Sequence, residues 1–352
     1  MVRRCRWPRS SPVAGCWPTA RTDGWLAAGP LENPQPIDGL MSPHHRHALT
    51  LSIGLAALLY LGFVLFADHA AVLAALRRVD SPVLAAIFAL SLLNYLLRFW
   101  RWRRYIAAFG HVLPWWRHFL YYLAGFTLTV TPGKAGEAVR SLYLRGHGVS
   151  YAQSLAALFV ERLLDVLAMS LLALLILLAR PDYAWLAAVA WGLTLGLIWL
   201  VTRAWLPERL RMLGQGHRYG HRFDRLARLL DSAAVLLRPG NFLFGLGLGV
   251  LSWGLEGLSL YLIARGVGVE LSLAAGIGIY AIAVLAGALS FLPGGLGGTE
   301  ALMGVLLVAV GSDGPSAVAI TLLCRIATLW FAVALGGIAV AVLGIDGRRA
   351  TI

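Results

Sequence analysis

Four stretches of this chain run for about 18 residues or more almost without charge: Ala48–Ala67, Tyr183–Thr202, Asn241–Ala264 (interrupted only by Glu256) and Leu271–Glu300. About 20 residues of helix, rising 1.5 Å each, cross a hydrocarbon core of about 30 Å. Backbone N–H and C=O groups cannot be left open in that core, so such stretches must be helical. The composition agrees. Charged residues make up 13% of the chain and hydrophobic residues 59%, with mean hydropathy +0.73, where a soluble domain carries about 25% charge. The sequence therefore predicts an all-α polytopic membrane protein.

The net charge of +13 is read as positive-inside bias, not as a nucleic-acid footprint. The Arg, Ala, Leu and Gly excess matches a GC-rich bacterial genome. Three cysteines, Cys5, Cys16 and Cys324, form no disulfide framework or zinc spacing. His217 and His221 are four apart but lack the HExxH context. No metal, cofactor or nucleotide-binding fingerprint is expected, and no nucleophile or protease signature points to an enzyme. Residues 1–40 are rich in Pro, Trp and Arg without periodicity. They are expected to be a disordered tail or a mis-annotated start, with Met41 as the true one and the membrane domain at 41–345.

Two apolar stretches break at the same kind of motif. TVTPGKAGE (129–137) ends the short run Phe119–Gly133, and FLPGGLGGTE (291–300) interrupts the second half. Phe119–Gly133 is 15 residues long, about 22 Å of helix, which is short for a crossing. If it enters and returns, the basic loop 203–240 is cytoplasmic together with Arg46, the cluster at 98–117 and Arg348/Arg349, giving 16 Arg inside against four outside. A full crossing would put the eight Arg of 203–240 outside. The positive-inside rule selects the re-entrant hairpin, with both termini cytoplasmic. In this topology RFWRWRRY (98–105) reads as an interface belt, and Tyr121, Tyr122, Trp115 and Trp116 as interface anchors.

Shifting the chain by 161 residues lays Ser91 on Ser252, Arg104 on Arg265, Pro132 on Pro293 and Gly133 on Gly294. After a two-residue insertion the shift becomes 163, and Glu137 falls on Glu300, Gly148 on Gly311 and Arg162 on Arg325. The expected architecture is about six full transmembrane helices plus two re-entrant hairpins, eight apolar segments in all. They form an inverted repeat of about 82–180 and 242–343. Inverted repeats place broken helices at the membrane midplane around a substrate site.

Pro and Gly end a helix, and the half-helix that follows begins with open N–H groups and a positive dipole end. Gly295 and Gly297 lengthen the second break. Glu137 and Glu300 are expected in first turns. Arg162 and Arg325 are expected deep in the next helix, where a charge needs a partner. Two readings stand side by side. Glu137–Arg162 and Glu300–Arg325 pin each hairpin, or they join Lys134, Arg140, Glu161 and Asp165 in an anion site. Asn94 and Glu256 are weaker candidates.

At TPGKAGEAVRSLYL, ALFVERLLDVL and FLPGGLGGTEALM the chain resembles the lysylphosphatidylglycerol synthase transmembrane-region family of flippase-like integral membrane proteins, over roughly residues 45–345. The resemblance implies lipid translocation, with Pro132, Gly133, Gly136, Glu137, Glu161, Arg162, Pro293, Gly294 and Glu300 in that role. In the bacterial synthases a separate soluble domain makes the aminoacyl lipid. The chain ends nine residues after Leu343, so synthase activity is not expected. Cys324-Arg325 replaces the Glu-Arg of the first repeat, so the two sites need not be equivalent. The expectation is a bacterial inner-membrane translocase for a phosphate-bearing or polyprenyl-linked lipid, not driven by ATP. The alternative is a membrane scaffold for a glycosyltransferase or lipid-modifying enzyme, docking through 203–240.

Overall fold

A computed structural model describes residues 69–177, 184–215, 219–290 and 292–349, with backbone alone at 132–135, 177, 184–190, 193, 289, 293 and 346–349. Residues 1–40 and the expected span at 48–67 lie outside the described residues. Every described element is helical. In chain order they are α1 (His69–Leu76), α2 (Ser81–Ala108), α3 (Trp115–Ala124), α4 (Arg140–Arg145), α5 (Tyr151–Leu177), α6 (Ala184–Val201), α7 (Trp205–Gly214), α8 (Gly220–Leu236), α9 (Pro239–Val267), α10 (Leu273–Leu289), α11 (Gly298–Ala309), α12 (Gly314–Arg325) and α13 (Phe331–Arg349). Short 3-10 turns fill Gly125–Leu128, Pro132–Val139 and Pro293–Gly295, and a π-turn at Ile326–Trp330 joins α12 to α13.

Among the described residues, three helices are long and apolar enough to cross a membrane: Ser81–Ala108, Pro239–Val267 and Gly314–Ile345. α5 has 27 residues, with Glu161, Arg162 and Asp165 at its middle.

The 203–240 stretch, expected as a loop, instead forms the helices α7 and α8, which pack on each other. The cause lies in LARLLDSAAVL: Ala227, Leu230, Ala233 and Leu236 are buried at successive steps of three residues, close to the helical repeat of 3.6, and arginines fill the outer face.

The two halves carry matching local structure. Gly148 and Gly311 both take positive φ, 82° and 102°, a conformation open to glycine. Two residues later come matched N-caps. Ser150 Oγ accepts from Gln153 N at 3.2 Å, and Asp313 Oδ2 accepts from Ser316 N at 3.1 Å. α5 and α12 then start at equivalent positions.

The equivalent helices α2 and α9 lie side by side and run antiparallel. Arg104 Nε donates to Asn241 Oδ1 (3.1 Å), Arg101 Nη1 to the Gly245 carbonyl (3.4 Å) and Asn94 Nδ2 to the Ser252 carbonyl (2.7 Å). Just before α2, Arg78 Nη1 donates to the Val267 carbonyl (3.5 Å). These bonds run from one end of the pair to the other, so the two helices stay in contact along their length. The halves also exchange partners: α5 packs on α10, and α13 on α3.

Close approach depends on missing side chains. A Cβ on Gly245 would sit 2.1 Å from Tyr105 Oη and 2.9 Å from Leu164 Cδ1. Gly245→Ala is expected to cost about 1–3 kcal/mol by overpacking and to lower the thermal midpoint in detergent. Gly247→Ala, with nothing within 4 Å of its Cβ, should leave the midpoint unchanged. Equal midpoints for the two variants would refute this account of the α2–α9–α5 contact.

Candidate functional site

The two Pro-Gly breaks meet. A Cβ on Gly294 would lie 3.2 Å from Val130 Cα, and Val130, Leu296 and Leu329 form a small apolar cluster. Gly294, Gly295 and Gly297 hold positive φ of 62°, 69° and 84°, so the second break is built from residues without a Cβ penalty.

In that break Gly297 N donates to Glu300 Oε2 at 2.7 Å. The carboxylate thus folds back onto the N-terminus of its own helix α11, as a capping box does. Arg325 Nε donates to Glu300 Oε1 at 2.6 Å, and its Nη2 to the Gly294 carbonyl at 3.0 Å. The Glu300–Arg325 pair ties helix start, break and π-turn together. The anion-attracting end of α11 is thereby occupied by the protein's own carboxylate, as in the pinning reading.

The first break is arranged differently. Thr131 Oγ1 accepts from Gly136 N at 2.7 Å, and a Cβ on Gly136 would lie 2.4 Å from Leu128 Cβ. Glu137 sits in the 3-10 turn before α4, not in a first α-turn. It accepts from Thr129 Oγ1 at 3.0 Å and pairs with Arg140. Pro132, Gly133 and Lys134 are described by their backbone alone, as is Pro293, so a side-chain role for Lys134 lies outside the described residues.

Around Glu137 the structure gathers four arginines and two more carboxylates. Arg101 Nη2 bonds Asp165 Oδ1 at 2.6 Å and Glu161 Oε1 at 3.3 Å. Arg140 Nη1 bonds Glu161 Oε2 at 3.1 Å. Arg162 Nη2 stands 3.3 Å from Asp165, 3.4 Å from Glu161 and 3.6 Å from Glu137. Arg98 Nη2 stands 3.8 Å from Asp165 and 4.0 Å from Glu161. All are buried except Arg162, whose side chain is 23% exposed. A single charge buried here would be prohibitive, and the group survives by mutual pairing. Aromatic faces complete the lining. Arg140 lies 4.2 Å from the Tyr122 ring centroid, and Arg98 lies 5.2 Å from that of Trp253, both within cation–π range. Gly125 makes room for this, since a Cβ there would meet Arg140 Nε at 2.3 Å.

The pairs Glu137–Arg162 and Glu300–Arg325 anticipated from the repeat are thus in contact, and Glu161, Asp165 and Arg140 join the first. Three expectations are corrected. Arg98 and Arg101, read as interface-belt residues, are core residues, 5% and 0% exposed. Tyr122, read as an interface anchor, is fully buried, and its hydroxyl donates to Glu161 at 3.2 Å. Trp102 and Tyr105, read with the belt, are also buried, whereas Trp100 is 58% exposed. The missed signal was spacing: Asn94, Arg98, Arg101 and Tyr105 follow the 4, 3, 4 step of one helical face. Trp115 and Trp116 do stand exposed.

A cavity of about 210 Å³ lies between the halves. Arg98, Arg162 and Asp165 line one part of it, and Arg325, Gly294 and Glu256 another. Phe126, Met169, Val284 and Leu292 add apolar wall. It therefore offers fixed cations beside greasy surface. Among the described residues no cluster of His, Cys, Asp or Glu is placed to hold a metal.

Comparison with known proteins agrees with this architecture. The family profile described as lysylphosphatidylglycerol synthase TM region matches residues 49–336. A UPF0104 membrane protein of Methanothermobacter thermautotrophicus is 33% identical over 224 residues, 58% of this chain and 66% of the relative. A further UPF0104 match in that organism is 26% identical over 333 residues, covering 85% of this chain and 96% of the relative. The UPF0104 membrane protein of Pyrococcus horikoshii is 25% identical over 256 residues, 61% and 73% of the two chains. The matched region spans both Pro-Gly breaks and every arginine of the cluster, and on that match the chain belongs to the lysylphosphatidylglycerol synthase transmembrane-region family.

Proposed function

We propose that the protein is a lipid translocase of the bacterial cytoplasmic membrane, with both termini cytoplasmic and a phosphate-bearing or polyprenyl-linked lipid as substrate. One observation carries the reading. Arginines and apolar surface share one cavity where two broken helices meet between antiparallel halves. A headgroup anion would meet the arginines while the hydrocarbon tail stays in the bilayer. On this reading the segments around 115–145 and 273–309 are re-entrant hairpins of an inverted repeat, and rocking of one half on the other opens the cavity to either side. Energy comes from lipid or ion gradients, not from a nucleotide.

The test is reconstitution in liposomes with a fluorescent phosphate-bearing lipid and a membrane-impermeant quencher. Wild type should expose the inner-leaflet label faster than empty vesicles do. Arg162→Ala should reduce that rate at least tenfold. Wild-type vesicles that behave like empty ones with phosphate-bearing and polyprenyl-linked lipids alike would overturn the reading.

The scaffold alternative draws support from the α7–α8 pair. It presents exposed Trp205, Met212, Leu213 and Leu226 among its arginines. Excision of 205–236 that spares transport but loses a co-purifying lipid-modifying enzyme would favour it.

A further inference from the structure

The four arginines of the first cluster do not share its carboxylates equally. Arg101 and Arg140 take the hydrogen bonds to Glu137, Glu161 and Asp165. Arg98 and Arg162 are held only by charge, at 3.3–4.0 Å. The Nε and Nη2 atoms of both are buried without a hydrogen-bond partner among the described residues, and so is Asp165 Oδ2. Arg98 is 5% exposed and Asp165 2%. All three residues line the cavity. Buried polar groups are normally satisfied, so each exception calls for a missing partner. In the cluster the exceptions are Nε of all four arginines, Nη2 of Arg98 and Arg162, and one carboxylate oxygen, Asp165 Oδ2. The cluster sets four cations, Arg98, Arg101, Arg140 and Arg162, against three carboxylates, Glu137, Glu161 and Asp165, and Glu256 stands in the wall of the same cavity.

The missing partner must therefore be an anion with several acceptor oxygens and one O–H donor. Sulfate offers acceptors only, and so does a phosphodiester. Either would turn a bare oxygen toward the lone pairs of Asp165. The monoanion of a phosphomonoester has both kinds of group, and guanidinium binds phosphoryl oxygens in bidentate fashion.

We propose that Arg98, Arg162 and Asp165 form a clamp for a phosphomonoester, with the two guanidiniums on its anionic oxygens and Asp165 Oδ2 accepting its P–OH proton. This rests on the reading of the cavity as a headgroup site. Size agrees with it. A volume of about 210 Å³ is below the roughly 300–1,000 Å³ of pockets that enclose whole drug-sized ligands. It takes a phosphoryl group and the first atoms of its chain. The apolar wall at Phe126, Val284 and Leu292 is where that chain would leave.

The test is calorimetric titration of the full chain in phosphatidylcholine nanodiscs. The probes are inorganic phosphate, methyl phosphate, dimethyl phosphate and sulfate. Phosphate and methyl phosphate should bind at least tenfold tighter than sulfate and dimethyl phosphate. Arg98→Ala should weaken phosphate at least tenfold, and Asp165→Asn should bring the phosphate-to-sulfate ratio near one. The wild-type comparison stands even if Asp165→Asn fails to fold. A short-chain phosphatidic acid identifies the source. Binding ten times tighter than inorganic phosphate supports a membrane lipid, and equal binding supports free phosphate on the same clamp. Equal affinity of wild type for all four anions, or phosphate binding untouched by Arg98→Ala, overturns the clamp. Selective binding without movement of any lipid in vesicles leaves the clamp and removes the translocase. Movement of diester lipids without selectivity does the reverse.

Discussion

Glu161→Ala is expected to cost about 3–5 kcal/mol, the loss seen when one member of a buried ion group is removed. That is a large part of the about 5–15 kcal/mol that holds a typical protein folded. Glu161 accepts from Arg101, Arg140 and Tyr122 and lies within 4.0 Å of Arg98. Without it, four guanidiniums face two carboxylates in a largely buried site. The measurement is the yield of monodisperse protein in mild detergent, with the thermal midpoint where any survives. Asp224→Ala is the contrast. Its partner Arg228 is one helical turn away and both side chains are about half exposed, so the loss should stay within about 1 kcal/mol. If Glu161→Ala melts like wild type, the cluster does not hold the first half together.

Much of this arrangement is legible in the sequence because it is periodic or repeated. The charge-free runs give helices, since the bilayer leaves few other solutions. The offsets of 161 and 163 pair Pro-Gly with Pro-Gly and Glu-Arg with Glu-Arg, and the structure brings Glu137 to Arg162 and Glu300 to Arg325. What could not be read is which arginines face inward. RFWRWRRY has the composition of an interface belt, and composition cannot distinguish Arg104, exposed beside Asn241, from Arg101, buried against Asp165. Only the phase of the helix separates them. That phase becomes visible once Asn94 and Tyr105 are placed on the same face. The 203–240 stretch was obscured for a related reason: its many arginines hide an apolar stripe of small residues, Ala227 and Ala233, alternating with Leu230 and Leu236. The difference between the two breaks was also out of reach. Both carry a Glu after Pro-Gly, but the two extra residues of FLPGGLGGTE let Glu300 fold back on Gly297 N. In the first break, Glu137 turns to Arg140 and Thr129.

Arg98→Met should separate binding from stability, because the cluster holds one more cation than it has carboxylates to match. Removing Arg98 leaves Arg101, Arg140 and Arg162 facing Glu137, Glu161 and Asp165, three against three. The Nε and Nη2 atoms of Arg98 give up no hydrogen bond in doing so, since they have none among the described residues. The flexible Met side chain refills the space beside Phe126 and Trp253 without the cost of burying a surplus charge. The expected result is a thermal midpoint at or above that of wild type, with translocation of phosphate-bearing lipid at least tenfold slower. Arg101→Met should do the opposite at the first step. It withdraws the 2.6 Å bond to Asp165 and the bond to Glu161, and so should cost about 3–5 kcal/mol before transport can be measured. Two arginines three residues apart on one helix face would then give opposite outcomes, which a purely structural cluster would not. If Arg98→Met melts as early as Arg101→Met, Arg98 is one more strut and the surplus charge has no ligand. If Arg98→Met folds and transports at the wild-type rate, the anion is held elsewhere in the cavity, and Arg325 becomes the residue to replace.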